Sequence, residues 1–329
     1  MIGYYIHHHG RGHLARAMAI ASALSEPVTG LSSLPRPDSW RGGWLRLPLD
    51  VAEPAVDPDA NGRLHWAPLR SAGLEARMAA VSAWIERTSP AAIVVDVSVE
   101  VALLARLHGI PVVVVALAGG RTDASHALGY DIAAAIVGAW PPAARGMLDG
   151  LSGRAAGRLQ EVGAISALRF MEGTPEPRSI LVLGGAGGDD LTRDAVEAAR
   201  QATPGWTWRH VGGDSGTWVE DPGPLLREAA VVVTHAGQGA LADVAAACRP
   251  AIVLPQARPY DEQRRTAAVL ADSVWPAIVL PSLPAPSEWS ALLGAAERLD
   301  GGLWRTWNDG RGARRAAAVI RRVAGSVGA

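Results

Sequence analysis

The 329-residue sequence contains no lysine, one cysteine and no uninterrupted apolar run of about 18 residues. Each absence removes a class of reading. With Cys248 alone, neither a disulfide framework nor a cysteine metal site can be built. The start, Met1–Ile6, is too short for a signal h-region and carries no cleavage signature, so the expectation is a cytoplasmic protein. Arginine supplies all 31 basic side chains, which reads mainly as compositional bias, although a guanidinium suits bidentate phosphate contacts. A formal net charge of −1 argues against binding along a nucleic-acid backbone. No solenoid-period repeat and no low-complexity tail is visible.

What the chain does have is apolar content, 49% of it, and length enough for two α/β domains of roughly 150 residues each. Short β-rich runs alternate with Ala/Leu/Arg helical patterns in both halves, as in parallel sheets covered by helices. Strands are expected at Ile2–Ile6, Ala92–Val95 and Val112–Leu117, then at Ser179–Leu183, Thr207–Val211, Ala230–Thr234, Ala251–Leu254 and around Ala277–Leu280. Residues 30–70 give no clear pattern, and Trp40 and Trp44 there read as a packed loop, short strands or an interfacial patch. A hinge is expected between about Trp140 and Arg178, where Pro141-Pro142 and Gly173-Thr174-Pro175-Glu176-Pro177 fall. The expected division is residues 1–160, residues 161–310, and a terminal helix over residues 311–329 that can pack back on the first domain.

Chemistry-bearing residues gather at strand ends. Thr234–Asp243 follows an apolar run and opens a helix, so Gly237 and Gly239 would let backbone N–H groups reach a phosphate at a helix N-terminus. The Gly184–Gly188 turn, which includes Gly185, offers a second set of backbone donors. His7-His8-His9-Gly10-Arg11-Gly12-His13 makes a tight turn that places His13 at a helix start, as a general base or as a packed cap; a metal reading is weak because consecutive side chains diverge. Asp96 ends a strand and would either orient His13 or cap the helix after Ser98. Asp123 and His126, in a glycine-flexed loop, would contact an acceptor or make an ordinary cap. Glu262-Gln263 would present a carboxylate and an amide to sugar hydroxyls, or decorate a helix start. Asp57-Pro58-Asp59 matches a D-x-D but lies in a Pro/Gly/Asn turn and reads as loop.

In combination, His235-Ala236-Gly237-Gln238-Gly239, Asp243, Pro250, Pro255 and Glu262-Gln263 resemble the nucleotide-sugar signature of GT-B glycosyltransferases, and Gly10-Arg11-Gly12-His13 resembles their N-terminal glycine–histidine loop. Glycosyltransferase family 28 of the UDP-glycosyltransferase superfamily is the branch most similar. The resemblance implies two Rossmann-like domains facing across a cleft and inverting transfer of a sugar from a UDP- or dTDP-linked donor to an acceptor hydroxyl. It implies diphosphate binding by Gly185, His235, Gly237, Gln238 and Gly239, nucleoside binding by Trp218, Val219 and Asp243, and donor-sugar binding by Glu262 and Gln263. His13 would be the base and Asp96 its partner, with Gly10, Arg11, Gly12, Asp123 and His126 toward the acceptor. Neither cofactor nor metal is implied. A family-28-like enzyme would act on a small-molecule or a lipid-linked acceptor, the latter with peripheral contact at the inner membrane face. A nucleotide-sugar hydrolase or epimerase, or a non-catalytic nucleotide-sugar-binding protein, are the alternatives. Asp243 stands where Glu is usual, Ala236 for Gly and Thr266 for Asn.

Overall fold

The computed structural model describes residues 1–8, 11–51, 54–170, 173–185, 191–213 and 216–326, with the side chain of Arg11 outside that description. Gly10 and the 186–188 part of the second glycine turn therefore lie outside the described residues.

In the first half, strands β1 (Ile2–Ile6), β2 (Val28–Ser32), β3 (Gly43–Arg46), β4 (Ala92–Asp96), β5 (Val112–Ala116), β6 (Gly119–Gly120), β7 (Ala135–Gly138), β8 (Leu148–Asp149) and β9 (Leu159–Glu161) alternate with helices α1 (Arg11–Ala23), α2 (Ala72–Thr88), α3 (Val99–Leu107), α4 (Ala124–Ile132) and α5 (Gly153–Ala156). Seven of these strands form one parallel sheet in the order β3-β2-β1-β4-β5-β7-β9, and β6 pairs with β8 separately. The run Ala92–Asp96 is wholly buried, which fits an apolar central strand covered on both faces.

The second half holds β10 (Ser179–Leu183), β11 (Thr207–Val211), β12 (Val231–Thr234), β13 (Ala251–Val253) and β14 (Ala277–Val279). They form a five-stranded parallel sheet in the order β11-β10-β12-β13-β14. Around it stand α6 (Arg193–Ala202), α7 (Gly223–Glu228), α8 (Gln238–Ala246), α9 (Glu262–Ala271) and α10 (Trp289–Ala296). The last helix, α11 (Gly312–Gly325), lies against the first sheet: its Ala316, Val319, Ile320 and Val323 share a core with Ile2, Tyr4, Ile20, Val94 and Val113.

Both sheets are doubly wound, and such sheets take ligands beyond the carboxyl ends of their strands, where the strand order reverses. In the first sheet the reversal falls between β1 and β4. At those ends β1 runs into His7, and β4 finishes in Asp96. In the second it falls between β10 and β12, whose ends carry Gly184-Gly185 and His235.

Strands β2 and β3 occupy the start of the stretch that had no legible pattern, and helix α2 follows its end. Trp40 is buried and meets Trp44 edge-on at 5.1 Å, and the Trp44 ring lies over Gly30 of β2, where a Cβ would come within 2.3 Å of it. The tryptophans thus pack into the domain and do not form the interfacial patch that was one expectation. Among the described residues no helix is long and apolar enough to cross a membrane.

Candidate active site

On the first domain's side of the cleft, β4 ends in Asp96, which is fully buried. The chain turns at once at Val97, a β-branched residue held at φ +64°, a conformation such side chains seldom adopt. Asp96 caps nothing, because Ser98 is the N-cap of α3 and accepts the Val101 N–H. The carboxylate instead meets the first turn of α1. His13 Nδ1 lies 2.8 Å from Asp96 Oδ1, and Arg16 clamps both oxygens, Nη2 to Oδ1 at 2.7 Å and Nε to Oδ2 at 2.9 Å. Burial by itself would raise the Asp96 carboxyl, but the Arg16 guanidinium and then His13 hold it well below the usual carboxylate range. Nδ1 faces the ionised carboxylate, which only accepts, and also Arg16 Nη2 at 3.0 Å, which only donates; with the proton on Nδ1 directed at the closer Asp96 oxygen, Nε2 keeps its lone pair. The His13 side chain retains 17% exposure while Nδ1 faces the buried carboxylate, which leaves the Nε2 edge as the accessible one.

Arg16 was not anticipated from the sequence. Its signal was the i+3 spacing from His13, which puts both on one face of the first turns of α1.

Across the cleft, α8 begins at Gln238 with Gly237 as its N-cap and no side-chain cap. By helix geometry the N–H groups of Gln238, Gly239 and Ala240 have no intrahelical carbonyl. The two helix starts abut: a Cβ on Gly239 would lie 3.9 Å from Gly12 Cα. Positive dipole ends from both domains therefore converge on one point.

His235 knits the two glycine turns together. Its Nδ1 accepts from Gly237 N at 2.9 Å and is 3.3 Å from Gln263 Nε2, so the ring proton sits on Nε2. Nε2 lies over Gly185, where any Cβ would come within 2.6 Å. Burial, aided by the Arg258 charge, pushes His235 down to about 4, so it is neutral near pH 7. This revises two expectations in detail. The Gly237 N–H is engaged by His235, so the donors without a partner in the helix begin at Gln238. The Gln263 side chain is likewise engaged inside the protein: Oε1 accepts from Ala236 N at 3.1 Å and Gln256 N at 2.9 Å, clasping the loop after β12 to the loop after β13.

Asp243, expected at the ribose, accepts from Ser166 Oγ at 2.5 Å. Burial pushes its carboxyl up to about 6, because Ser166 only partly offsets desolvation. Trp218 and Val219 lie just past the end of β11, with Trp218 52% exposed. Thr217 bridges to Val211 at that strand end.

A second cluster joins the domains below the first. Asp123 is the N-cap of α4, accepting from His126 N at 3.0 Å, and also takes His126 Nδ1 at 2.6 Å and His65 Nε2 at 3.2 Å. Arg121 is buried, donates to the carbonyls of Leu117 and Ala118, and points Nη1 at His126 Nε2 from 2.9 Å. From the opposite domain, Tyr260 stacks on Arg121 at 4.8 Å, and Glu262 Oε2 lies 3.9 Å from Arg121 Nη2. Gly119, at φ +120°, lets the Tyr260 carbonyl approach so closely that a Cβ would meet it at 2.3 Å. Arg265 pairs with Asp149 in the same seam.

The ligand atoms of His65, Asp123 and His126 lie within 4.8 Å of one another, near enough to suggest a cation site. The hydrogen bonds speak against it. Arg121 can only donate, so His126 Nε2 accepts and Nδ1 bears the proton given to Asp123, which leaves neither nitrogen a lone pair for an ion. Burial first, then the Arg121 and His65 charges, push His126 down to about 4 against the pull of Asp123. Asp57 and Asp59 accept from Asn61 N and Gly62 N in an exposed turn.

Residues 216–281 match the glycosyltransferase family 28 C-terminal domain. No curated protein matches the chain. Among solved structures, the glycotransferase of kitacinnamycin superposes with a TM-score of 0.70 at 18% identity, covering 98% of both chains. MurG from Acinetobacter baumannii gives 0.64 at 16% identity, over 98% of this chain and 99% of that one. The spinosyn rhamnosyltransferase SpnG complexed with thymidine diphosphate gives 0.61 at 15%, over 98% and 100%. The chain has the GT-B fold, two Rossmann-like domains over its whole length.

Proposed function

We propose that this protein is an inverting, metal-independent glycosyltransferase that moves a hexose-type sugar from a UDP- or dTDP-linked donor to an acceptor hydroxyl. One observation carries the reading: the starts of α1 and α8, one holding His13 against Asp96 and the other bearing uncapped N–H groups, face each other so closely that a Cβ on Gly239 would lie 3.9 Å from Gly12 Cα. The family-28 match over residues 216–281 and the bound thymidine diphosphate of one structural neighbour support a nucleotide donor on the α8 side.

In this reaction His13 Nε2 removes the acceptor hydroxyl proton as the oxygen attacks the anomeric carbon from the face opposite the nucleotide. The bond from that carbon to the phosphate oxygen breaks, and the electron pair leaves with the nucleoside diphosphate. Asp96 holds the His13 tautomer and balances the imidazolium that forms. Negative charge growing on the diphosphate is met by the N–H groups of Gln238, Gly239 and Ala240, by the α8 dipole and by the Nε2–H of neutral His235. These donors take the place a divalent cation would otherwise fill. Trp218 stacks on the base with Val219 beside it, and the remaining oxygen of Asp243 takes a ribose hydroxyl. Glu262 holds the sugar, while Gln263 holds the loop that presents it. On the acceptor side stand Gly12 and the loop of Asp123 and His126, next to an apolar cavity lined by Val97, Val99, Val114 and Tyr130. Gly10 and Arg11 belong to the same turn by sequence. A cytoplasmic location is part of the proposal.

The test is incubation with UDP- and dTDP-sugars, with and without a panel of small hydroxyl acceptors. Acceptor-dependent release of nucleoside diphosphate is expected, falling roughly 100-fold or more in His13→Ala. Rapid stoichiometric release of free sugar without acceptor would overturn transfer in favour of hydrolysis.

A further inference from the structure

The side chain of Gln238 touches neither member of the His13–Asp96 pair, yet it sits between that pair and the α8 cradle. Its Oε1 lies 3.3 Å from Arg16 Nη1 in the other domain. A guanidinium only donates, so this contact fixes the amide orientation: oxygen toward Arg16, nitrogen away. Nε2 is then left buried and without a hydrogen-bond acceptor. An unmet buried donor costs about 1–3 kcal/mol, so its persistence calls for an explanation. It occurs in the first residue of α8, at the proposed diphosphate seat, and a phosphate oxygen is the acceptor the position lacks.

We infer that Gln238 is a positioning residue that reports donor occupancy to the base: its Nε2 donates to the donor diphosphate while its Oε1 steadies Arg16. The inference rests on the donor assignment proposed above. Arg16 clamps both oxygens of Asp96, and Asp96 holds His13, so phosphate, Gln238, Arg16, Asp96 and His13 form one unbroken line of hydrogen bonds across the cleft. Without the diphosphate the amide is satisfied at one end only, and Arg16 is held less firmly on the donor side. With it, both ends are fixed, and the arrangement of Arg16, Asp96 and His13 is held more firmly when a leaving group is present. The domain contact itself becomes tighter, because the same amide bridges the two halves.

Calorimetry and histidine-ring NMR on the full chain test this without knowledge of the acceptor. The probes are UDP, dTDP, uridine and thymidine, and the His13 ring signals are assigned by comparison with His13→Gln. In Gln238→Leu, affinity for the nucleoside diphosphate is expected to fall about 10-fold, the effect of losing one hydrogen bond to a charged group, while affinity for the bare nucleoside is unchanged. Saturating diphosphate is expected to shift the His13 ring signals in the wild type and to leave them unmoved in the variant, a response that a merely structural role would not alter. Gln238→Glu is the second variant: nearly isosteric and able to hold Arg16, it removes the N–H donor, opposes the phosphate and should weaken diphosphate binding further. Equal diphosphate affinity in all three proteins, or an undiminished His13 response in Gln238→Leu, overturns the inference alone. Failure of the wild type to bind either diphosphate instead overturns the donor assignment on which it rests.

Discussion

At the scale of single residues, Arg16 and Asp96 are the pair that holds His13, the proposed base. Both are buried, and removing one partner of a buried pair leaves an uncompensated charge. Arg16→Met should therefore destabilise the fold by about 3–5 kcal/mol, read from urea midpoints at pH 7. Because Asp96 is held below the ordinary value of 3.8, its contribution to stability is complete above that value and is lost as pH falls through its depressed one, so Arg16→Met should also flatten acid unfolding below pH 4. Gly185 makes a different demand. A methyl there would enter the space of His235 Nε2, so Gly185→Ala should displace the imidazole and weaken nucleoside diphosphate binding about 10-fold in calorimetry, with a smaller effect on thermal stability. Much of this was legible in the sequence: His13, Asp96, His235 and the glycine turns all announce themselves by type and by position at strand ends. Arg16 did not, because one arginine among 31 becomes distinctive only once the fold brings β4 against α1.

The elements show where pattern reading stops. The central strands Ile2–Ile6 and Ser179–Leu183 were read to the residue, since a short apolar run leaves few alternatives, and so was the edge strand Thr207–Val211. Strand β2 was missed because its middle residue is Gly30, a poor strand former that is required there by the Trp44 ring. Its alternation is legible only with the tryptophan in place. Gly30→Ala should accordingly cost about 1–3 kcal/mol by overpacking, and Gly30→Ala combined with Trp44→Ala should recover part of the loss, a coupling that a double-mutant cycle measures. The Tyr260–Glu262 turn was equally opaque. Its left-handed Tyr260 and Asp261 make sense only against Gly119 of the other domain.

For the whole molecule, the sites of greatest electrostatic tension lie where the domains meet. Folding keeps His235 and His126 neutral, each pushed from 6.5 to about 4, so the unfolded chain binds protons that the native one refuses as pH falls below 6.5. Asp243, raised from 3.8 to about 6, acts oppositely and regains part of that stability as pH falls through 6. Two groups against one leave a net loss, on the order of 2 kcal/mol between pH 7 and pH 4.5, measurable as a shift in urea midpoint. A His235→Gln variant should lose less over the same interval. The return of α11 to the first sheet makes that domain depend on the end of the chain, a long-range packing of the terminal helix expected over residues 311–329. All of these features bear on the central proposal, that a donor diphosphate is held at the starts of α1 and α8. The most direct test is a crystal structure of the protein with the nucleoside diphosphate it binds. The account predicts diphosphate oxygens within about 3.2 Å of the Gln238 and Gly239 N–H nitrogens, on the side of α8 that faces His13. A diphosphate seated elsewhere, or one held without those amides, would contradict it.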